Sequence, residues 1–170
     1  MQRRDLIKVT AGAVVAARVA SSQEHRFFTP AEFKMVDELT ELIIPVDEKS
    51  GGAKAAKVSE FIDGFLAEAF EPTPADSERG RWRAGLRSID EITKQMHGVS
   101  FLEANAEQRT AVLTRVAANE TEPREPEEHF FLAMKRLTVK GYYTSKIGIH
   151  DDLDYKGNVF QSSEYAGELP

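Results

Sequence analysis

Hydrophobic positions recur along this chain at intervals of three and four residues, the spacing of one buried stripe on an amphipathic helix. Five stretches show this pattern, and no stretch of strand length alternates apolar and polar residues. The positions that carry the stripes are Phe33, Val36, Leu39, Leu42 and Ile43; Val58, Phe61, Ile62, Phe65 and Leu66, with Phe70 as an extension; Trp82, Leu86, Ile89, Ile92 and Met96; Val112, Leu113 and Val116; and Phe130, Met134, Leu137 and Gly141. The sequence therefore predicts an all-α protein, a small bundle of about five helices.

The predicted helix ends carry matching sequence signals. Residues 29–32, Thr-Pro-Ala-Glu, form a capping box with proline at the first helical position, which starts the first helix. Gly98 follows the third stripe at a position where a left-handed cap is common, and Asn105 is placed to cap the fourth helix. Pro126 suits the first position of the last helix. Residues 46–53 contain Asp, Ser and paired glycines, which predict a loop.

The chain after Tyr143 loses the helical period and is rich in glycine and aspartate, which predicts a segment without regular structure. We therefore predict an extended irregular tail over residues 146–170. This end of the chain carries five aromatic residues and little other hydrophobicity: Tyr142, Tyr143, Tyr155, Phe160 and Tyr165. Because tyrosine suits an interface that is apolar on one side and polar on the other, these five form the candidate partner interface. The alternative, in which the tail wraps back over its own helices, stays open.

Charge and composition exclude several classes of function. The net charge of −6 is spread along the chain with both signs, so there is no basic field to bind nucleic acid or an anionic membrane. The sequence contains no cysteine, which excludes disulfides, thiolate zinc sites, iron–sulfur clusters and thioether-linked haem in this chain. Any such redox centre would belong to a partner.

The N-terminal segment is similar to a twin-arginine export signal. Arg3 and Arg4 are adjacent, and a mild apolar run of small residues follows over 9–17. That run is too short for a membrane-spanning helix, which needs about 20 apolar residues. We expect residues 1–25 to be signal and linker, residues 26–145 to be the helical domain, and the protein to be periplasmic. The alternative is an ordinary amphipathic N-terminus with a chance arginine pair.

Candidate chemistry within the chain is weak. The four histidines, His25, His97, His129 and His150, have no partner at a spacing that catalysis or metal binding requires. The aspartates after residue 150 lack the spacing and the closing glutamate of a calcium loop. No Gly-x-Gly-x-x-Gly follows a strand, and no nucleophile stands in a recognisable motif. We therefore predict no catalytic, cofactor-binding or metal-ligating residue in this chain.

Several short motifs occur together from the first predicted helix to the tail. Residues 42–48 read LIIPVDE, 50–53 SGGA, 61–63 FID, 141–145 GYYTS, 147–148 IG and 153–158 LDYKGN. In this combination the chain resembles the gluconate 2-dehydrogenase subunit 3 family over most of its length.

The resemblance implies a non-catalytic small subunit of a heteromeric dehydrogenase that acts on a sugar, glycoside, polyol or sugar acid. FAD would be held by a large partner subunit of the GMC type, and larger complexes could add a cytochrome c subunit. This chain would stabilise the large subunit and lend it the twin-arginine signal for export as a folded complex. Two other hypotheses are a stand-alone periplasmic helical binding protein, and an enzyme that uses His129 or His150 as acid or base.

Overall fold

Helices form all the regular structure in the part of the chain that the computed structural model describes, residues 25–69 and 77–155. The all-α class is therefore confirmed. The helices are α1 (Pro30–Ile43), α2 (Gly52–Ala55), α3 (Val58–Glu68), α4 (Glu78–His97), α5 (Ala106–Ala117) and α6 (Pro126–Tyr143), followed by one π-helical turn (Gly148–Asp152). The five longer helices, α1 and α3 to α6, are the five that the hydrophobic stripes predict. Phe70, the extension of the second stripe, lies outside the described residues.

The helix ends follow the sequence signals. The Thr29 hydroxyl accepts the backbone N–H of Glu32, and the Glu32 carboxylate accepts the backbone N–H of Thr29, so the predicted capping box of α1 is confirmed. Asn105 caps α5 in the same reciprocal way with the glutamine three residues later. Gly98 ends α4 with a φ of 76°, in the left-handed region that favours glycine.

The short helix α2 is a departure from the predicted loop over 46–53. Its position depends on the Glu41 side chain, whose two carboxylate oxygens accept the backbone N–H groups of Val46 and Lys54 at 3.0 and 2.8 Å. Gly52 has a φ of 72°, and a Cβ atom added to it would lie only 2.6 Å from the backbone nitrogen of Val46. A contact from α1 thus folds the last two residues of that loop into α2, and local composition does not reveal such a contact.

The last helix, α6, is the centre of the bundle because it packs against α1, α3, α4 and α5. Its contact with α4 is close: a Cβ atom added to Gly85 would lie 2.1 Å from the ring of Phe130. Phe130 also meets Trp82 edge to face, with 5.3 Å between the ring centres. Trp82 is only 1% exposed, so the single tryptophan is a core residue.

A buried carboxylate fixes the segment that precedes α1. Asp63 on α3 is 4% exposed and accepts the backbone N–H groups of Arg26, Phe27 and Phe28 at 2.7, 3.0 and 2.8 Å. The guanidinium of Arg83 on α4 donates to the carbonyl of Phe27 and lies over its ring. The described body of the protein therefore begins with an ordered segment that joins α3 and α4.

Candidate functional site

The end of α6 is joined to the loop between α1 and α2 by a buried hydrogen bond. The hydroxyl of Tyr142 donates to the hydroxyl of Ser50, and Tyr142 is 1% exposed. Tyr142 follows Met134 and Thr138 at intervals of four, so it continues the buried stripe of α6. Tyr142 is therefore part of the chain's own core, and its side chain is not exposed in this chain for the partner contact predicted for it.

The π-helical turn lies directly against the end of α6. The Ser145 hydroxyl donates to the carbonyl of Tyr142 at 2.6 Å and accepts the backbone N–H of Gly148 at 3.0 Å. The N–H of Leu153 then reaches the carbonyl of Gly148 at 3.1 Å. Residues 148–152 are thus regular where irregular structure was predicted, because the Ser145 side chain continues the hydrogen bonding of α6 past its last residue. The tail beyond residue 155 lies outside the described part of the chain.

Tyr143 links the π-helical turn to the loop that follows α1. Its pKa is raised above the ordinary tyrosine value, first by a hydrogen bond with Asp152, then by burial and by the negative charges of Asp152 and Asp47. Asp47 itself accepts the backbone N–H groups of Lys49 and Ser50 at 2.9 and 2.8 Å, and these bonds lower its pKa. The loop, the end of α6 and the turn therefore share one side of the molecule.

We call this region the α6-end surface and define it as residues 46–49, 143, 146 and 148–155. Four large apolar side chains are exposed on it: Val46 at 64%, Tyr143 at 39%, Leu153 at 58% and Tyr155 at 50%. The surface carries two lysines, Lys49 and Lys146, and five acidic side chains. The acidic side chains are Asp47, Glu48, Asp151, Asp152 and Asp154. Isolated exposed apolar residues are ordinary, but four on one side of a small protein suggest a contact surface.

The candidate interface is thus placed only in part. Tyr143 and Tyr155 are exposed as an interface requires, and their role stays a prediction. Phe160 and Tyr165 lie outside the described residues, as do Arg3 and Arg4 of the candidate export signal. Reasoning from sequence missed the contribution of the 46–49 loop, although its Asp-x-x-Ser turn is a signal that marks an exposed, ordered loop.

The four histidines have different surroundings. His25 stacks on Phe33 with 3.8 Å between ring centres, and the Nδ1 atom of His150 lies 3.1 Å from the carbonyl oxygen of Tyr155. His97 has a buried Nε2 without a hydrogen-bond partner, while His129 lines a groove between α4 and α6.

Within residues 25–69 and 77–155, no three His, Cys, Asp or Glu residues come close enough to hold a metal ion. No helix in these ranges has the length and apolarity needed to span a membrane.

The groove between α4 and α6 has a volume of about 580 Å³ and mostly apolar walls. Trp82 and Phe130 line it, as do Arg81 and Arg124. Both arginines already face carboxylates: Arg81 contacts Glu78 at 2.8 Å, and Arg124 contacts the glutamate two residues before it at 3.4 Å. The groove is therefore close to neutral, and its size falls in the range of small-molecule sites.

Adding one methyl group at Gly148 by substitution with alanine should push the π-helical turn away from the end of α6. A Cβ atom there would lie 2.2 Å from the backbone carbonyl oxygen of Tyr142, and a backbone atom cannot move aside cheaply. We expect Gly148→Ala to raise the hydrogen-exchange rate of the Leu153 N–H at least tenfold and to cost about 1–3 kcal/mol of stability.

Gly64→Ala is the matched control for this substitution. Gly64 lies within α3, and its added Cβ would meet only the Arg26 guanidinium, at an ordinary 3.5 Å. Since alanine favours a helix over glycine, this variant should be as stable as the wild type or up to about 1 kcal/mol more stable. Equal exchange rates of Leu153 in the Gly148→Ala variant and the wild type would show that the turn does not depend on this close contact.

Fold and surface together define the class: a small all-α protein with an exposed apolar surface edged by carboxylates. The chain belongs to the gluconate 2-dehydrogenase subunit 3 family, whose model matches residues 30–160. The matched range runs from the first residue of α1 to beyond the π-helical turn, so it includes the whole α6-end surface. No curated protein and no solved structure matches the chain.

Proposed function

We propose that this protein is the non-catalytic small subunit of a heteromeric FAD-dependent dehydrogenase that acts on a sugar, glycoside or polyol. In this proposal a large GMC-type subunit binds FAD and carries out hydride transfer. The small subunit stabilises it and supplies the twin-arginine signal with which the folded pair is exported to the periplasm. A cytochrome c subunit would be a further partner in larger assemblies.

The observation that carries this proposal is the family match, which covers all seven helical elements of the described residues completely and most of the chain. The family description names a dehydrogenase subunit, so a partner chain is implied. The α6-end surface offers four exposed apolar side chains for that contact. A permanent pairing would bury more than about 1,000 Å² in total, which requires further surface besides these four residues.

Co-purification tests the pairing. The chain is expressed with and without a large GMC-type flavoprotein from the same genome, purified through a tag on this chain, and examined for flavin absorbance. We expect a yellow complex of fixed stoichiometry, with the large subunit insoluble or inactive when expressed alone. A colourless, folded monomer that leaves the flavoprotein behind would contradict the proposed function.

Export is tested separately by replacing both signal arginines. In the Arg3→Lys, Arg4→Lys variant we expect the flavoprotein to remain in the cytoplasm, because the twin-arginine pair is what the translocase would read. The measurement is flavoprotein activity in the periplasmic and cytoplasmic fractions. Arg18→Lys is the control, since it makes the same change outside the pair and should leave export unaltered. Normal export of the double variant would remove this part of the proposal.

The groove between α4 and α6 favours a second candidate function, a stand-alone helical binding protein. Its volume of about 580 Å³ and its walls of Trp82 and Phe130 would suit a small apolar ligand. The co-purification experiment distinguishes the two candidates, because a stand-alone binding protein would purify as a soluble monomer without the flavoprotein.

A further inference from the structure

The way in which Asp47 is held matters for the charge of the α6-end surface. Several carboxylates elsewhere lie in ion pairs: Glu38 contacts both Lys54 and Arg109, and Asp90 contacts Lys94 at 2.6 Å. On the α6-end surface, Asp47 accepts hydrogen bonds from the backbone N–H groups of Lys49 and Ser50. These donors are uncharged, so the bonds order the carboxylate without neutralising it.

The surface therefore combines exposed apolar side chains with a net negative charge. Its five carboxylates outnumber its two lysines. The hydrogen bonds of Asp47 hold the loop, and those of Ser145 hold the turn, without a partner. An ordered surface loses less conformational entropy on binding than a mobile one.

The C-terminal end of the chain offers no complement to this charge. Residues 156–170 contain one lysine and two glutamates, so the end of the chain has the same sign as the surface. A second copy packed two-fold against the first would bring identical acidic surfaces together, because a two-fold interface pairs each patch with itself. Like charges placed face to face across an interface oppose association.

We propose that the α6-end surface docks a basic face of the partner subunit, in which lysine and arginine side chains surround an apolar hollow that receives Tyr143, Leu153 and Tyr155. This inference rests on the proposed function, since it assumes that a partner subunit exists. It adds the location of the contact on this chain and the chemistry of the surface that the partner presents. Complementary charge would also steer the two subunits into one orientation during assembly.

The experiment uses the co-purified complex and removes three exposed carboxylates of the α6-end surface, leaving Asp47 in place. The test variant is Glu48→Gln, Asp151→Asn, Asp154→Asn. The matched control is Glu91→Gln, Glu107→Gln, Glu122→Gln, which removes the same charge from exposed positions on α4, on α5 and before α6. The protein concentration at which half of the complex is dissociated is measured by fluorescence anisotropy of a labelled small subunit. The measurement is repeated at salt concentrations from about 0.05 to 0.5 M.

We expect the test variant to raise the half-dissociation concentration about tenfold at low salt, with a smaller effect at high salt, while the control stays within about twofold. Leu153→Ser should weaken the complex at every salt concentration, because it removes an apolar contact that salt does not screen. A complex that forms normally and responds to neither change would overturn the inference while leaving the proposed function intact. If no complex forms with the wild-type chain, the proposed function itself fails.

Two other groups could cover the α6-end surface: a second copy of this chain, and the C-terminal end of the same chain. Both are tested on the isolated small subunit. Self-association that Leu153→Ser abolishes would identify a second copy as the occupant and overturn the inference. A loss of several degrees of thermal stability in the same isolated variant would identify the chain's own end as the cover, with the same consequence. An unchanged monomer of wild-type stability supports a partner surface.

Discussion

Replacing Trp82 by alanine is expected to destabilise the protein by about 3–5 kcal/mol, the cost of removing the largest side chain from a well-packed core. Trp82 is 1% exposed, meets Phe130 edge to face at 5.3 Å and lies 6.1 Å from Phe28 between ring centres. Its loss would leave a cavity where α4, α6 and the segment before α1 meet. We expect a fall of roughly 10 °C in the thermal midpoint. Urea unfolding followed by circular dichroism measures the effect without relying on tryptophan fluorescence.

The control for this substitution is Met96→Ala on the same helix. Met96 is also apolar, but it is 37% exposed, so its truncation should cost less than about 1 kcal/mol. Trp82→Phe should fall between the two because it keeps an aromatic ring in the site. If Trp82→Ala were no more destabilising than Met96→Ala, the packing of α4 against α6 would not be the main contact of the core.

Replacing Asp63 by alanine is expected to release the segment before α1 and to cost at least about 3 kcal/mol. The Asp63 carboxylate accepts three backbone N–H groups, and hydrogen bonds to a charged group contribute about 1.5–3 kcal/mol each. Without the carboxylate, the N–H groups of residues 26–28 lose their shared acceptor. Limited proteolysis should then cut near Phe27, and the urea midpoint should fall.

Two variants separate the role of this carboxylate from a general charge effect. Asp63→Asn keeps one acceptor oxygen and should lose only part of the stability. Glu60→Gln removes a negative charge from the same helix, where the carboxylate contacts Lys57 at the surface, and should change stability by less than about 1 kcal/mol. Resistance of Asp63→Ala to proteolysis equal to that of the wild type would contradict the proposed anchoring.

The anchoring of residues 26–28 also bears on the proposed export role. Asp63, Arg83 and the ion pair of Arg26 with Glu68 hold this segment to α3 and α4. A signal that precedes it would therefore leave the folded body at a fixed place. If the two subunits are exported as a folded pair, the signal would leave this subunit at a fixed position. It would then stay accessible to the translocase as long as the partner binds another part of the surface.

The sequence alone was sufficient for the five longer helices and most of their ends. Five apolar stripes gave the five longer helices, and Thr29, Gly98 and Asn105 marked boundaries that the structure confirms. These features depend on contacts within about four residues, so a local pattern determines them. The motifs at 42–63 and 141–158 likewise led to the family, because their order along the chain carries the information.

The candidate surface depended on contacts between residues far apart in the sequence. Tyr142 and Tyr143 are neighbours with the same side chain, yet the first is buried against Ser50 and the second is exposed beside Asp152. Composition cannot distinguish them, because the difference comes from which side of α6 faces the loop after α1. The bonds from Asp63 to residues 26–28 have the same origin: they span more than thirty residues, and only the packing of the helices brings their atoms together.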